Sequence, residues 1–430
     1  MLQTDILILG SGLTGLTCAH YLAKKNSSFL IVDKKERVGG VIGTVSENGF
    51  VYETGPNTGV VSQPEVADLF EDLKEDLTLE LADEKAEKRY VLKNGKWIAL
   101  PSGLIGGITT PLFTFKDKLR LLGEPFRSKG TNPNESLADL VKRRMGKSFL
   151  DYAVDPFILG IYAGDPAQLV PKYALPKLYN LEQDYGSFIG GAIKKKNMKE
   201  DPEAKKATRK IFSVKGGLSI LTDSLQKSTG KDKFILGVQN SIIQKSDDGY
   251  LLSGTGADGK RIEIQAKKVI STVGAFALRG LFPFINDKYL KEIENLHYTR
   301  VIEVAIGFNK WKGRPLDAFG ALIPHREKRN ILGIMFMSSL FEGRAPEGGA
   351  LITIFIGGVR RQELCDLDDA AVKRLAEKEL LDLLELDDFN PDLFAIMRHS
   401  KAIPQYRADS KERYEAIDKL QNQYPGLLLA

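Results

Sequence analysis

The chain is poor in the residues that build cross-linked or metal-centred sites. It has two cysteines, Cys18 and Cys365, so no disulfide framework is expected and a reducing compartment suffices. Cys18 falls within an apolar helical pattern and reads as a small core residue. The four histidines, His20, His297, His325 and His399, lack the spacing of metal ligands, and no metal is expected. No apolar run reaches the roughly 18 residues of a membrane span. The first strand begins at the N-terminus, so no cleaved signal peptide is expected. Aromatic residues do not interleave with the basic ones, which argues against nucleic acid as a partner. The formal charge is only +5, and the segment Lys194–Lys210, with eight basic and three acidic residues, can carry all of it. That segment reads as a solvated surface loop rather than a phosphate- or lipid-binding patch.

The 430 residues, 43% hydrophobic and 27% charged, fit a soluble globular chain of two or three domains. Residues 4–59 are the most informative. An apolar strand, Ile6 to Leu9, runs into Gly10-Ser11-Gly12-Leu13-Thr14-Gly15. An apolar helix follows, then a strand from Phe29 to Val32 ending in Asp33. This is the pattern of a dinucleotide-binding βαβ unit. Gly10 permits the tight turn, Gly12 admits a pyrophosphate to the backbone, and Gly15 lets helix and strand pack closely. The pyrophosphate would sit on the helix N-terminus, and Asp33 is placed to accept from ribose hydroxyls.

The cofactor domain is expected to be discontinuous, formed by 1–74, 207–286 and 396–430. A second domain, built on an antiparallel sheet, takes 75–100, 192–206 and 287–395. Residues 101–191 form a helical insert, with a membrane-facing side as one reading. The fold class is α/β, α+β overall, with a Rossmann-like cofactor domain. Within it, Arg89–Leu92 and Trp97–Leu100 flank Asn94-Gly95 and read as a hairpin. Leu112, Phe113, Phe115, Leu119, Leu121, Leu122 and Phe126 form an apolar pattern broken by basic residues. Burial under a neighbour is the favoured reading over a membrane surface. Ala370–Leu386 reads as an amphipathic helix whose leucines and alanines face the core.

Beyond Asp33, Glu36-Arg37-Val38-Gly39-Gly40-Val41-Ile42 resembles the flavin-binding glycine-pair motif of the amine oxidase superfamily. Glu53-Thr54-Gly55-Pro56-Asn57 resembles the turn by which that superfamily closes on the flavin. Further segments are similar to the FAD-dependent, oxygen-using protoporphyrinogen/coproporphyrinogen oxidases. They are Asp155–Pro166, Glu182–Ser187, Ile331–Pro346, Ile356-Gly357-Gly358 and Ile403-Pro404-Gln405-Tyr406, in the family's order.

The resemblance implies FAD as cofactor and oxidation of a porphyrinogen to the porphyrin in haem biosynthesis, with hydride passing to flavin and then to oxygen or quinone. It implies no catalytic acid–base pair. It places Gly10, Ser11, Gly12, Leu13, Thr14 and Gly15 on the pyrophosphate and Asp33 on the ribose. Arg37, Gly39, Gly40, Val41, Gly55, Pro56, Asn57 and Thr58 would line the flavin side, and Asn240 would meet the adenine through its backbone. The family often has arginine where Asn57 stands. For the substrate it points to Arg89 for a propionate, Gly164 for pyrrole N–H groups, and Phe319, Met335 and Phe355 for the macrocycle. A strand-end surface charge accounts for Arg89 equally well, and core packing is the readier account of the three apolar residues.

A peripheral contact with the inner face of the cytoplasmic membrane, a cytoplasmic location and a homodimer are carried as further expectations. The other readings are an amine oxidase or desaturase relative, and a family scaffold unable to hold FAD. The last follows from Ala430, after which family members continue toward the flavin. On that ground this form is expected to bind FAD weakly or not at all.

Overall fold

The structure, a computed structural model, describes residues 1–101, 106–107, 109–196 and 203–430. Part of the glycine-rich entry at 101–108 and residues 197–202 of the basic segment lie outside the described residues.

The first sheet is built around Leu2–Leu9, whose run Leu7-Ile8-Leu9 is fully buried. Such a run suits a parallel strand covered on both faces. It pairs in parallel with Phe29–Val32 on one side and Arg261–Ser271 on the other. Phe234–Ile235 extends the sheet beyond Phe29–Val32. Gly249–Thr255 and Gln239–Ser246 complete it as an antiparallel meander. Leu427–Leu429 joins in parallel beside Val269–Ser271. Helix Leu13–Lys24 covers one face by packing Ala19 on Ile8, Phe29 and Ile31, and helix Ser219–Thr229 packs beside it through Leu16, Leu221 and Leu225. Helices Asp287–Glu294 and Ser410–Gln423 bury Leu290, Ile293, Ala416 and Leu420 on the other side. Three separate segments of the chain thus build one cofactor-type sheet.

The second sheet runs in the order Leu393–His399, Val301–Phe308, Ala350–Gly357, Gly333–Met335, Gly320–Leu322, Arg89–Lys93 and Lys96–Ala99. The expected hairpin is present, and Asn94 and Gly95 both take positive φ, as a two-residue turn matched to strand twist requires. One pair departs from the antiparallel expectation. Arg89–Lys93 lies parallel to Gly320–Leu322, because this hairpin comes from a distant part of the chain. The boundary expected at 396 is also crossed, since Leu393–His399 pairs along its whole length with Val301–Phe308.

One face of this sheet carries Ile302, Val304, Ile306, Ile352, Ile354 and Ile356. They pack against Val372, Ala376, Leu380 and Leu383 of helix Asp369–Leu383, which Asp368 caps by accepting from the Ala371 amide. The helical expectation for that segment is met, three residues shorter at its end. The opposite face, with Ala305 and Leu351, packs on Phe50 and Tyr52 of strand Phe50–Glu53.

The insert is helical from Phe115–Leu122 through Phe188–Lys196. Its apolar pattern divides. Leu112 and Phe113 are buried with Leu140, Val141 and Phe149, whereas Phe115, Leu119, Leu122 and Phe126 are exposed. The favoured burial of the whole stretch is therefore corrected to burial of one face. Among the described residues, no helix is long and apolar enough to cross a membrane.

Candidate cofactor and substrate site

The glycine turn is held by its own neighbours. Gly10 takes φ +99°, a region open mainly to glycine. A Cβ on Gly15 would stand 1.9 Å from the Gly10 carbonyl oxygen, so helix and turn meet without room for a side chain. Asp33 closes the arrangement: one carboxylate oxygen accepts from the Ser11 amide at 2.6 Å and its hydroxyl at 2.8 Å. Its other oxygen accepts from the Lys35 amide at 2.8 Å. Helix Leu13–Lys24 starts at Gly12 with no side-chain cap. Its first amides have no partner within the helix and carry the positive end of its dipole. Leu13 and Thr14 are exposed at that mouth.

The glycine pair lies directly against this turn. Gly39 donates to the Ser11 carbonyl at 2.8 Å, and a Cβ on Gly40 would approach the Gly12 Cα to 3.0 Å. Arg37 was expected on the flavin side. Its guanidinium instead donates to the carbonyls of Val38, Ile42 and Gly40 and shapes the glycine-pair loop. Lys35 donates to the Gly40 carbonyl at 2.7 Å, and burial, then the neighbouring Arg37, lowers its pKa. Val41 is 66% exposed, an apolar side chain left facing the crevice. Across it, a Cβ on Gly55 would meet the Val41 carbonyl oxygen at 2.2 Å. Pro56 is exposed, Thr58 half-buried and Asn57 buried. A cradle in which Gly40 and Gly55 leave little space for a Cβ, with free helix amides at its base, fits a dinucleotide laid along the backbone.

Asn240 is corrected. It is exposed, with φ +52°, two residues beyond the strand segment that runs beside Asp33. Val238 holds the expected place, its amide donating to the Asp33 carbonyl at 3.0 Å. The β-type pattern around 234–246 located the strand, but only the pairing shows which backbone group faces Asp33.

The substrate candidates gather on one face of the second sheet. Register places Arg89, Gly320, Met335 and Thr353 in one row, and Gly333 and Phe355 two residues along on the same face. Met335 and Phe319 are half-buried beside the core cluster of Phe50, Tyr52 and Met337, and Phe355 beside Leu159 and Ala163, so core packing covers part of this face and leaves these three side chains partly accessible. Arg89 is exposed, makes no ion pair among the described residues, and stands 5.2 Å over the Phe319 ring. Gly164 is buried, and a Cβ there would meet the Gln405 side-chain oxygen at 2.6 Å. The preceding Ala163 is left-handed and accepts from the Val359 amide at 2.8 Å. Arg360 then clamps the segment, donating to Asp155 at 2.5 Å and Asp165 at 2.7 Å. Burial is the largest influence on Asp165 and would raise its pKa, but the Arg360 bond and charge together with the Ala167 amide hold the carboxyl below its usual range.

Sequence reasoning missed Glu303. It is 2% exposed on the same sheet face, between Phe355 and Met397 in register, and accepts from Asn57 at 2.5 Å. An acid in the run Val-Ile-Glu-Val-Ala-Ile-Gly-Phe was the only available signal.

The model of the flavin-containing amine oxidoreductases matches residues 13–430. The chain belongs to that family. It is an FAD-dependent oxidoreductase with a Rossmann-like fold. This flavoenzyme is 30% identical to protoporphyrinogen oxidase 2, chloroplastic/mitochondrial, of Arabidopsis thaliana, over 99% of the chain and 89% of the relative. It is 25% identical to coproporphyrinogen III oxidase of Bacillus subtilis (strain 168), over 99% of the chain and 93% of the relative. Among solved structures, a protein from Exiguobacterium sp. 255-15, provisionally named protoporphyrinogen oxidase, superposes with TM-score 0.81 at 22% identity. That match covers 100% of this chain and 93% of the other. Wild-type putrescine oxidase bound to putrescine gives TM-score 0.71 at 15% identity, covering 100% and 93%, and speaks for the fold alone.

Proposed function

We propose that this flavoenzyme oxidises a porphyrinogen, protoporphyrinogen IX or coproporphyrinogen III, to the corresponding porphyrin in haem biosynthesis. The observation that carries the reading is the row that sets Arg89 and Met335, with Phe355 beside them, on one sheet face. An unpaired arginine stands at its edge, and half-buried apolar side chains line it, as an apolar macrocycle with carboxylate arms requires. The relatives of both kinds, acting on protoporphyrinogen and on coproporphyrinogen by name, support it.

Bound FAD supplies the hydride acceptor, with oxygen or a quinone as the final one. The chain's own residues bind and orient. Gly12, Thr14 and Gly15 offer amides to the pyrophosphate, and Asp33 accepts from the ribose. Val238 offers backbone to the adenine, while Gly40, Val41 and Gly55 border the flavin side. Arg89 takes a propionate as a charge-assisted, two-pronged bond. Phe319, Met335 and Phe355 exclude water from the ring's face. The Gly164 carbonyl would accept a hydrogen bond from a pyrrole N–H, and the proton lost from that nitrogen as hydride leaves the meso carbon would pass to solvent.

Porphyrin fluorescence from either porphyrinogen, with FAD added, tests the reading; no signal from both with folded, flavin-loaded protein refutes it. Arg89→Ala should raise KM by about tenfold with kcat little changed, the mark of lost uniform binding. An unchanged KM removes Arg89 from the substrate site.

We further propose that the insert rests on the inner face of the cytoplasmic membrane. Phe115, Leu119, Leu122 and Phe126 recur at helical spacing on the exposed side, and exposed Lys116 and Lys129 flank them. Apolar side chains with basic flanks suit an anionic lipid surface. Leu122→Asp with Phe126→Asp should abolish sedimentation with anionic vesicles while leaving the melting temperature in place. Equal sedimentation of the variant rejects the membrane contact.

A further inference from the structure

Glu303 occupies the middle of a strand whose eight residues are all buried. Its carboxyl has two partners. Oε1 accepts from Asn57 Nδ2 at 2.5 Å, and Oε2 lies 3.3 Å from His399 Nε2. The same Asn57 nitrogen donates to the Gly55 carbonyl at 3.2 Å, and Asn57 Oδ1 accepts from Thr353 at 3.5 Å. Gly55 in turn touches the glycine-pair loop at Val41. A continuous set of polar contacts therefore runs from the cofactor crevice, through Asn57 and Glu303, to His399. That ring ends its strand and is partly open to solvent, with its side chain 25% exposed.

Packing alone has no use for a carboxyl here, since an apolar residue would fill the strand at lower cost. Burial pushes the Glu303 pKa up. Bonds from His399 and Asn57 pull against this, and the charge of Glu53 adds to the rise. The titratable groups facing it are His399 from Leu393–His399 and Glu53 from Phe50–Glu53. Glu53 is itself bonded to Arg344 at 3.0 Å, and Ala350–Gly357 presents only the neutral Thr353.

We propose that Glu303, paired with His399, is the positioning residue for Asn57: it holds the Gly55–Asn57 turn against the FAD crevice and makes that turn respond to protonation of the Glu303 carboxyl. This rests on the reading of the crevice as the FAD site. A neutral glutamic acid offers one acceptor and one donor, which Gln can reproduce and Leu cannot.

The test compares wild type, Glu303→Gln and Glu303→Leu from about pH 6 to about pH 9. It follows the Asn57 side-chain amide by NMR in the FAD-free chain, FAD affinity by flavin fluorescence, and thermal unfolding. In wild type the Asn57 amide signal moves with pH; in Glu303→Gln it stays near the low-pH wild-type position. Glu303→Leu loses that position and weakens FAD binding about tenfold, while Glu303→Gln stays within about threefold of wild type at low pH. A raised folded-state pKa stabilises most at low pH and less as pH rises through it, so Glu303→Gln gains stability over wild type toward alkaline pH. Glu303→Leu keeps its melting temperature, which separates positioning from support of the fold. A pH-independent Asn57 signal in wild type, or a Glu303→Leu signal matching wild type, overturns the proposal. If the Asn57 response appears as expected but no form oxidises a porphyrinogen, the proposed function alone falls.

Discussion

Gly15→Ala should remove FAD binding more completely than any other single methyl added to this chain. The new Cβ would stand 1.9 Å from the Gly10 carbonyl oxygen and 3.1 Å from the Thr272 hydroxyl. The first neighbour is backbone and cannot rotate away. Gly10 cannot yield freely either, because its amide donates to the Val32 carbonyl at 2.8 Å and its carbonyl accepts from Thr272. The turn must lift off the helix, taking with it the Ser11 groups that Asp33 holds. Overpacking of this kind costs about 1–3 kcal/mol. At the upper end, the same displacement of the phosphate-facing amides corresponds to a roughly 100-fold weaker dissociation constant. Flavin fluorescence titration and thermal unfolding of the FAD-free chain check both effects. Gly280→Ala is the control, since an added Cβ there meets nothing within 4 Å. Equal loss in both variants would mean that helix–turn contact is not what shapes the crevice.

Arg144→Ala should be the most destabilising single truncation in the helical insert. Arg144 is fully buried and bonds to Glu182 at 2.7 Å, Glu124 at 2.9 Å and the Gly186 carbonyl at 2.6 Å. Glu124, also fully buried, accepts from Ser187 at 2.6 Å and from the amides of Phe188 and Ile189, at the start of helix Phe188–Lys196. Removing the guanidinium leaves the buried Glu124 without its counter-charge, while Glu182 keeps only Arg143 at 2.8 Å. Breaking a buried pair this way costs about 3–5 kcal/mol. Burial alone would push Glu182 up, but bonds from Arg143 and Arg144 hold it below its usual range. A depressed pKa stabilises above the unfolded value and is lost as pH falls, so the penalty should shrink below about pH 4. Urea unfolding at neutral and acid pH measures this. A loss below 1 kcal/mol at neutral pH, which is typical of exposed pairs, would show the network to be dispensable.

The two sites differ in how far the chain's order of residues disclosed them. Gly10–Gly15 and Asp33 were legible because the whole constellation lies within one local unit. Spacing along the chain there is spacing in space. Gly39, Gly40 and Gly55 were legible as motif, but why Gly55 must be glycine required seeing Val41 against it. Arg37 kept its place and changed its task, because the carbonyls that take up its guanidinium are presented by the folded loop. Asn240 was misplaced by two residues, since the pairing beside Asp33 joins segments some 200 residues apart.

Glu303 shows the same limit from the other side. In sequence it is one acid within an apolar strand; folded, its two neighbouring strands and the Gly55–Asn57 turn converge on it. The apolar stripe from Leu112 to Phe126 divided for a related reason. Hydrophobicity indicates that a side chain avoids water, but only the neighbours determine which side chains succeed.

By itself the sequence determined the cofactor class and the dinucleotide unit, because backbone turns, glycine conformations and helix N-termini act over a few residues. The tertiary structure decided the rest. It brought Arg89, Met335, Phe355 and Glu303 onto one face from four separate strands, and it set Asn57 between that face and the crevice. Such contacts depend on strand order and register, which arise from packing across the whole chain rather than from any local preference.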